Sequence, residues 1–185
     1  MDAVYGLLQE QSVRDLTMEA VAKRAKVGKP TLYKWWPTKA ALVLAMFAER
    51  IATARSMAAQ GGTAEDAIRN AAVAFVRALK GFSGEIVAEL IAEGQSEPEV
   101  LRSFFDQQIR ARRAAFAADI ERGKEDGELH PDADPELLID PVFGAIFYRL
   151  LFRSAPLNER FVEELVRQVF RGARVQTEPL TLIGE

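Results

Sequence analysis

No other stretch narrows the possible folds of this chain as far as residues 16–42, LTMEAVAKRAKVGKPTLYKWWPTKAAL. It reads as a helix, a three-residue turn and a second, short helix. Thr17 is a suitable N-cap for a first helix over Thr17–Ala25, because its hydroxyl can accept from an otherwise unpaired first-turn amide. Val21, Ala22 and Ala25 then fall on one side at helical spacing. Lys26-Val27-Gly28 makes the turn, with Val27 expected to point inward as a plug between the helices. The second helix starts near Lys29-Pro30-Thr31, where proline is tolerated because a first-turn amide has no intrahelical partner. Leu32 and Trp36 are expected to face the core, and Lys29, Thr31, Tyr33 and Lys34 to face solvent or a partner. Pro37-Thr38-Lys39 ends this helix, and Thr38 caps a third. Two helices joined by a tight turn, the second short and basic, is how a protein offers a helix to the major groove of DNA.

Charge is distributed to match. Residues 13–39 hold seven cations (Arg14, Lys23, Arg24, Lys26, Lys29, Lys34, Lys39) against Asp15 and Glu19, a balance of +5. The whole chain is −3, so the remainder carries −8. A basic head on an acidic body suits contact with phosphate at one end only, the alternative being a merely solvated basic face. With 185 residues, 49% hydrophobic and 28% charged, the chain can bury a sizeable core and has an ordinary soluble composition. The absence of cysteine excludes disulfides, zinc–thiolate sites and thiol catalysis. No apolar run approaches the ~20 residues of a membrane span and no secretory signal is visible, so a cytoplasmic protein is expected.

Thr17, the Val21-Ala22…Ala25-x-Val27 core, Thr31-Leu32-Tyr33, Trp36 and Pro37-x-Lys39 stand together in one register. In that register the segment resembles the DNA-binding domain of the TetR/AcrR family of bacterial transcriptional regulators. The likeness covers about the first third of the chain; beyond it lie a matching helical pattern and GELHPDADPELL, similar to one regulatory-domain subtype. Lys26 stands where the family usually has glycine; a left-handed backbone there would cost a lysine about 1–2 kcal/mol. Gly28 replaces the usual serine cap, a loss of only a few tenths of a kcal/mol. The family's first helix is longer and preceded by a basic arm, whereas this sequence opens at Met1-Asp2, and no contact is assigned to such an arm.

The resemblance implies an all-α fold, with an N-terminal three-helix helix-turn-helix DNA-binding domain joined to a C-terminal helical ligand-binding and dimerisation domain. The expected division is 1–45 for the head, 46–175 for the body and 176–185 for a tail. It further implies a ligand-responsive repressor that binds a palindromic operator in double-stranded DNA as a homodimer and is released by a small molecule. In the family's register Thr17, Tyr33 and Lys39 would hold phosphates, while Lys29, Pro30, Thr31 and Lys34 would approach base edges or the adjoining backbone. Phosphate contacts set register and base contacts specify.

Behind the head, a long helix is expected from Lys39 to about Ala59, broken at Gly61-Gly62. Helices follow at about 63–80, 84–94, 97–123, 134–153 and 158–173, with Pro141 kinking or interrupting one of them. Residues 2–11 form an amphipathic piece with Val4, Leu7 and Leu8 inward. Ten of the eleven phenylalanines lie at or beyond residue 75. Phe75, Leu79, Phe82, Ile86, Leu90, Phe104, Phe105, Ile109 and Phe116 are candidate lining of the ligand cavity that the resemblance implies; the plainer reading is core packing. Leu138, Val142, Phe143, Ile146, Phe147, Leu150, Phe161, Leu165 and Val169, on the last two helices, are candidates for the subunit interface, an isologous twofold contact. Recognition helices about 34–36 Å apart would then reach successive major grooves.

Other chemistry finds little support. Arg110, Arg112 and Arg113 read best as an exposed face neutralised by nearby acids. Asp132, Asp134 and Glu136 beside His130 read as a cap with first-turn acids, and His130 as an exposed loop residue, not a metal ligand. One histidine cannot build a carboxylate-bridged di-iron site, and no Ser/His/Asp set is evident, so no catalytic residue, metal or cofactor is assigned. A DNA-binding module without an effector stays open as the second reading.

Overall fold

In the computed structural model, which describes residues 1–55, 62–96 and 98–175, the chain is helical throughout. Among the described residues the head is α1 (Asp2–Leu8), α2 (Met18–Ala25), α3 (Lys29–Trp35) and the start of α4 (Lys39–Arg55). The body is α5 (Ala64–Ala78), α6 (Phe82–Ser96), α7 (Pro98–Phe104), a π-helical turn (Phe105–Ile109), α8 (Arg110–Glu125), α9 (Pro135–Phe152) and α10 (Glu159–Arg171). No strand occurs among these residues beyond one isolated bridge between Leu129 and Arg174.

Caps set the boundaries. Thr17 accepts from the Ala20 N–H at 3.1 Å and Thr38 from the Ala41 N–H at 3.1 Å, which starts α2 and α4. Thr63 and Asp66 close a reciprocal capping box on α5, at 3.1 and 3.2 Å. Asp134 and Asn158 do the same work singly for α9 and α10, at 2.8 and 3.0 Å. Lys26 is left-handed, at φ 56° and ψ 41°. The Val27 N–H reaches back to the Ala22 carbonyl at 3.0 Å, closing the Schellman arrangement that a residue in this conformation permits.

One continuous core joins head and body. Val4, Leu7, Val13, Leu16, Val21, Leu32, Leu42 and Met46 supply its head end; Ile68, Val76, Ile86, Leu90, Ile120, Ile139, Ile146, Val166 and Phe170 its body end. The central helix α5 packs against α10, α8 and α9.

Several expectations need correction. Val27 is 41% exposed and not an inward plug, because the left-handed residue before it swings the chain away from the core. The helix expected over 97–123 is divided into α7, the π-turn and α8; the extra residue of a π-turn re-registers the helix without a breaking residue to announce it. Helix α5 ends at Ala78 and α6 begins at Phe82, the turn between them being Leu79–Gly81 with Gly81 at φ 63°, and α6 continues through Gln95 and Ser96. Helix α9 runs uninterrupted through Pro141. Pro141 and Leu137, whose carbonyl loses its helical donor, both lie on the exposed side. The expected end of α4 near Ala59 and the tail 176–185 lie outside the described residues.

Candidate nucleic-acid interface

The short helix α3 is displayed and not buried. Of its seven residues only Leu32 lies in the core; Trp36, at its C-cap, is half-buried against that core. Every residue from Lys23 to Thr31 is exposed, and Tyr33, Lys34 and Trp35 continue that surface. Lys29, Pro30, Thr31, Tyr33 and Lys34 are thus brought together on one outward helix. Tyr33 is 48% exposed and Trp35 67%, large values for aromatic side chains in a folded domain. Trp35 carries the Lys34 ammonium 5.9 Å from its ring centroid. Sequence reasoning gave Trp35 no role, yet two adjacent tryptophans on a short helix must point in different directions, and Trp36 is the one turned to the core.

Within the chain some of these cations already have partners. Lys29 is paired with Glu19. The hydrogen bond from Lys29 holds the Glu19 carboxyl below its usual range, assisted by a backbone bond. Arg24 pairs with Glu10 at 2.7 Å. Lys39 donates to the Arg14 carbonyl and pairs with Glu93, each at 2.9 Å. Among the described residues Lys23, Lys26 and Lys34 have no ion-pair partner. Thr17 uses its oxygen as a cap but retains its O–H as a donor beside the turn.

Of the nine residues expected around a cavity, the eight whose side chains are described do not share one space. Leu79, Ile86 and Leu90 are buried core, and Ile109 is half-buried. Phe75 and Phe116 both meet Phe143, at 6.1 and 5.3 Å between centroids, in an aromatic cluster of α5, α8 and α9. Phe82 instead stands edge-on to Tyr5 of the head at 5.4 Å. Phe105 is 42% exposed beside Arg110, and the Phe104 side chain lies outside the described residues. An open surface pocket of about 260 Å³ lies elsewhere, where the start of α9 meets the end of α10, lined by His130, Asp132, Asp134, Leu137, Leu138 and Val169 among others. His130 is an exposed loop residue whose Nδ1 accepts from the Asp132 N–H at 3.3 Å. Among the described residues no cluster of three potential ligands could hold a metal ion.

The candidate interface residues also separate. Val142 and Ile146 have no exposed surface in the single chain, and Leu138 has little. Phe143 stacks on Phe116, and Phe147 meets Phe75 at 5.7 Å, so both serve the protomer's own interior. Leu150, Phe161, Leu165 and Val169 are half-buried, Phe161 beneath the Arg149 guanidinium at 3.4 Å. Apart from Glu136 and Asp140, what α9 leaves outside is Leu137, Pro141, Gly144, Tyr148, Leu151 and Phe152, one stripe at helical spacing. On α8, Arg110 pairs with Asp106 at 2.6 Å, and the half-buried Arg113 pairs with Glu136 and with Asp140 at 2.7 Å.

A helix-turn-helix head whose second helix is exposed and basic, carried on a helical body, defines a DNA-binding regulator. Residues 1–46 match the family model for the N-terminal domain of bacterial regulatory proteins of the tetR family, and residues 58–169 that for a tetracyclin repressor-like C-terminal domain. The chain belongs to the TetR family of transcriptional regulators, and is not an enzyme. The HTH-type regulator YdeS of Bacillus subtilis is 32% identical over 94% of this chain and 87% of its own. An HTH-type regulator of Mycobacterium tuberculosis is 28% identical over 88% of this chain and 80% of its own. The crystal structure of the TetR-family regulator SCO0332 superposes with a TM-score of 0.73 at 31% identity, covering 92% of this chain and 94% of that one. No described helix is long and apolar enough to cross a membrane.

Proposed function

We propose that the chain is a ligand-responsive repressor, cytoplasmic, that binds a palindromic operator in double-stranded DNA as a homodimer and releases it when a small molecule binds the body. The observation that carries the DNA half is α3: a seven-residue helix with one buried side chain has surface to spare and a basic reason to show it. Lys34 and Tyr33 lead that surface, with Thr17 and Lys39 flanking it for phosphate and Lys29, Pro30 and Thr31 placed for base edges. Proline against a thymine methyl and lysine against guanine acceptors are the base-reading pairs that suit these side chains. Residues 1–45 act as the reading head and 46–175 as the regulatory and pairing body.

The twofold contact falls on the outer stripe of α9, with Leu150, Phe161, Leu165 and Val169 at its margin. Release by a ligand requires that the ligand favour the DNA-incompetent arrangement. Support for a ligand comes from the fold: B. subtilis FadR, with stearoyl-CoA bound, has the same overall fold, with a TM-score of 0.72 at 17% identity over 94% of this chain and 97% of that one. That likeness does not extend to effector chemistry. The aromatic cluster of Phe75, Phe116, Phe143 and Phe147 is where a ligand wedged among α5, α8 and α9 would separate helices. A compound that raises the melting temperature and weakens operator binding supports the inducible reading. One that raises the melting temperature without touching DNA affinity opposes it.

A further inference from the structure

Helix α6 faces the head with three side chains on one side. Phe82 stands edge-on to Tyr5. One face further along, Glu89 accepts the Val13 N–H through Oε2 at 2.5 Å. Four residues later, on the same face, Glu93 pairs through Oε1 with Lys39 at 2.9 Å. Both carboxylates therefore reach the segment that joins α1 to α2, since Lys39 also donates to the carbonyl of Arg14.

Lys39 is a phosphate contact in the function proposed above, and here its charge is already taken. Its side chain is 24% exposed and that of Glu93 20%, so the pair is shielded enough for each charge to matter to the other. Two of the three ammonium donors are committed within the chain. The partner is poorly satisfied: Glu93 Oε2 is buried with no hydrogen bond. A carboxylate in that position would also repel an approaching phosphate. Next to Glu93, α6 is closely seated, with Gly94 so near α7 that an added Cβ would lie 2.5 Å from the Leu101 side chain. Displacement of α6 thus moves with the body and not freely.

We propose that Glu93 is an internal competitor for DNA at Lys39: it holds the lysine's charge in the free protein, and binding exchanges this carboxylate for a backbone phosphate. The position of α6 then sets how readily Lys39 is surrendered. This rests on the DNA-binding reading. The exchange adds no covalent chemistry; one ion pair breaks and another forms.

The test is fluorescence anisotropy of a labelled random-sequence duplex across a salt series, with the wild type, Glu93→Gln, Lys39→Gln, the double variant and Glu89→Gln. Glu93→Gln should bind about threefold to tenfold tighter with the log–log salt slope unchanged, because Lys39 meets the same phosphate in both complexes and only the competing pair in the free protein is lost. Lys39→Gln should bind more weakly with a shallower slope, and Glu93→Gln should have no effect in that background. Glu89→Gln, which loosens the same helix without touching Lys39, should lower the melting temperature and leave both affinity and slope at the wild-type values. If Glu93→Gln does not fold, Glu93→Asp withdraws the carboxylate by one methylene and should show the same changes in reduced size. A Glu93 variant that binds like the wild type, or whose effect persists without Lys39, overturns the proposal alone. A wild type that binds no duplex overturns the DNA-binding reading and this proposal with it.

Discussion

Gly144 separates what the single chain wants from what the pair wants. It lies mid-way along α9 with nothing within 4 Å of where a Cβ would be, in the outward stripe containing Leu137 (69% exposed), Tyr148 (56%) and Phe152 (70%). Tyr148 and Phe152 already lean on each other, 4.9 Å between centroids. In an isolated protomer Gly144→Ala removes a helix-interior glycine at no steric cost, gaining about 0.8–1.0 kcal/mol. In a domain of this size that raises the melting temperature by about 2–4 °C. At a twofold helix contact the axes lie about 8–10 Å apart and glycine is what lets them close. Leucine there costs about 1–3 kcal/mol in overpacking. Symmetry places the change in both subunits, so the dimer loses about 2–6 kcal/mol, a roughly 30-fold to 10⁴-fold weaker dimerisation constant. Sedimentation equilibrium of the wild type and Gly144→Leu measures that constant directly, and circular dichroism shows that the protomer is still folded. A Gly144→Leu protein that dimerises as tightly as the wild type refutes the placement of the interface on this stripe.

Other outcomes follow from local chemistry. Thr63→Ala removes one half of the capping box of α5 and should cost about 1 kcal/mol, seen as a melting temperature lower by about 2–4 °C; no change would mean that Asp66 caps alone. Glu159, at the start of α10, bonds Arg77 and Lys80 of the α5 end, and the Arg77 bond chiefly holds its carboxyl at about 2, below the ordinary 4.5. Its folded value is the lower one, so the unfolded chain takes up the proton first as pH falls. The stabilisation is complete above about pH 4.5 and is lost between there and about pH 2. The stability gap between the wild type and Glu159→Gln should therefore close over that window in urea titrations; a constant gap would show that the bridge contributes nothing. Trp35→Ala should weaken DNA binding while leaving the melting temperature unchanged, because the ring is mostly in solvent. A drop in melting temperature instead would assign it to packing.

The head was legible in the sequence because its determinants are local. Thr17 and Thr38 cap the helices that follow them, Leu32 is buried where the periodicity places it, and Lys26 takes the left-handed conformation that glycine would favour. Val27 was misjudged for the same local reason taken one residue too far: a left-handed residue redirects the chain, and periodicity cannot be carried across it. The body was legible as helices but not as surfaces. Helix α9 is apolar on nearly every side, so Val142 and Ile146, which are buried, look no different in sequence from Leu137 and Phe152, which are exposed. The phenylalanines of 75–116 scatter among the core, the head and the surface for the same reason. The Lys39–Glu93 pair joins two helices remote in sequence, and only packing brings them within 2.9 Å.

The most direct test of the central claim is selection of binding sites from random duplex DNA at about physiological salt. The wild type is run beside a Tyr33→Ala, Lys34→Ala double variant, both residues being exposed on α3 and neither in the core. The account predicts an enriched palindrome with the wild type, its half-sites about one helical turn apart centre to centre, and loss of that enrichment with the double variant. Enrichment that survives the double variant, or wild-type binding with no enriched sequence at all, would contradict it.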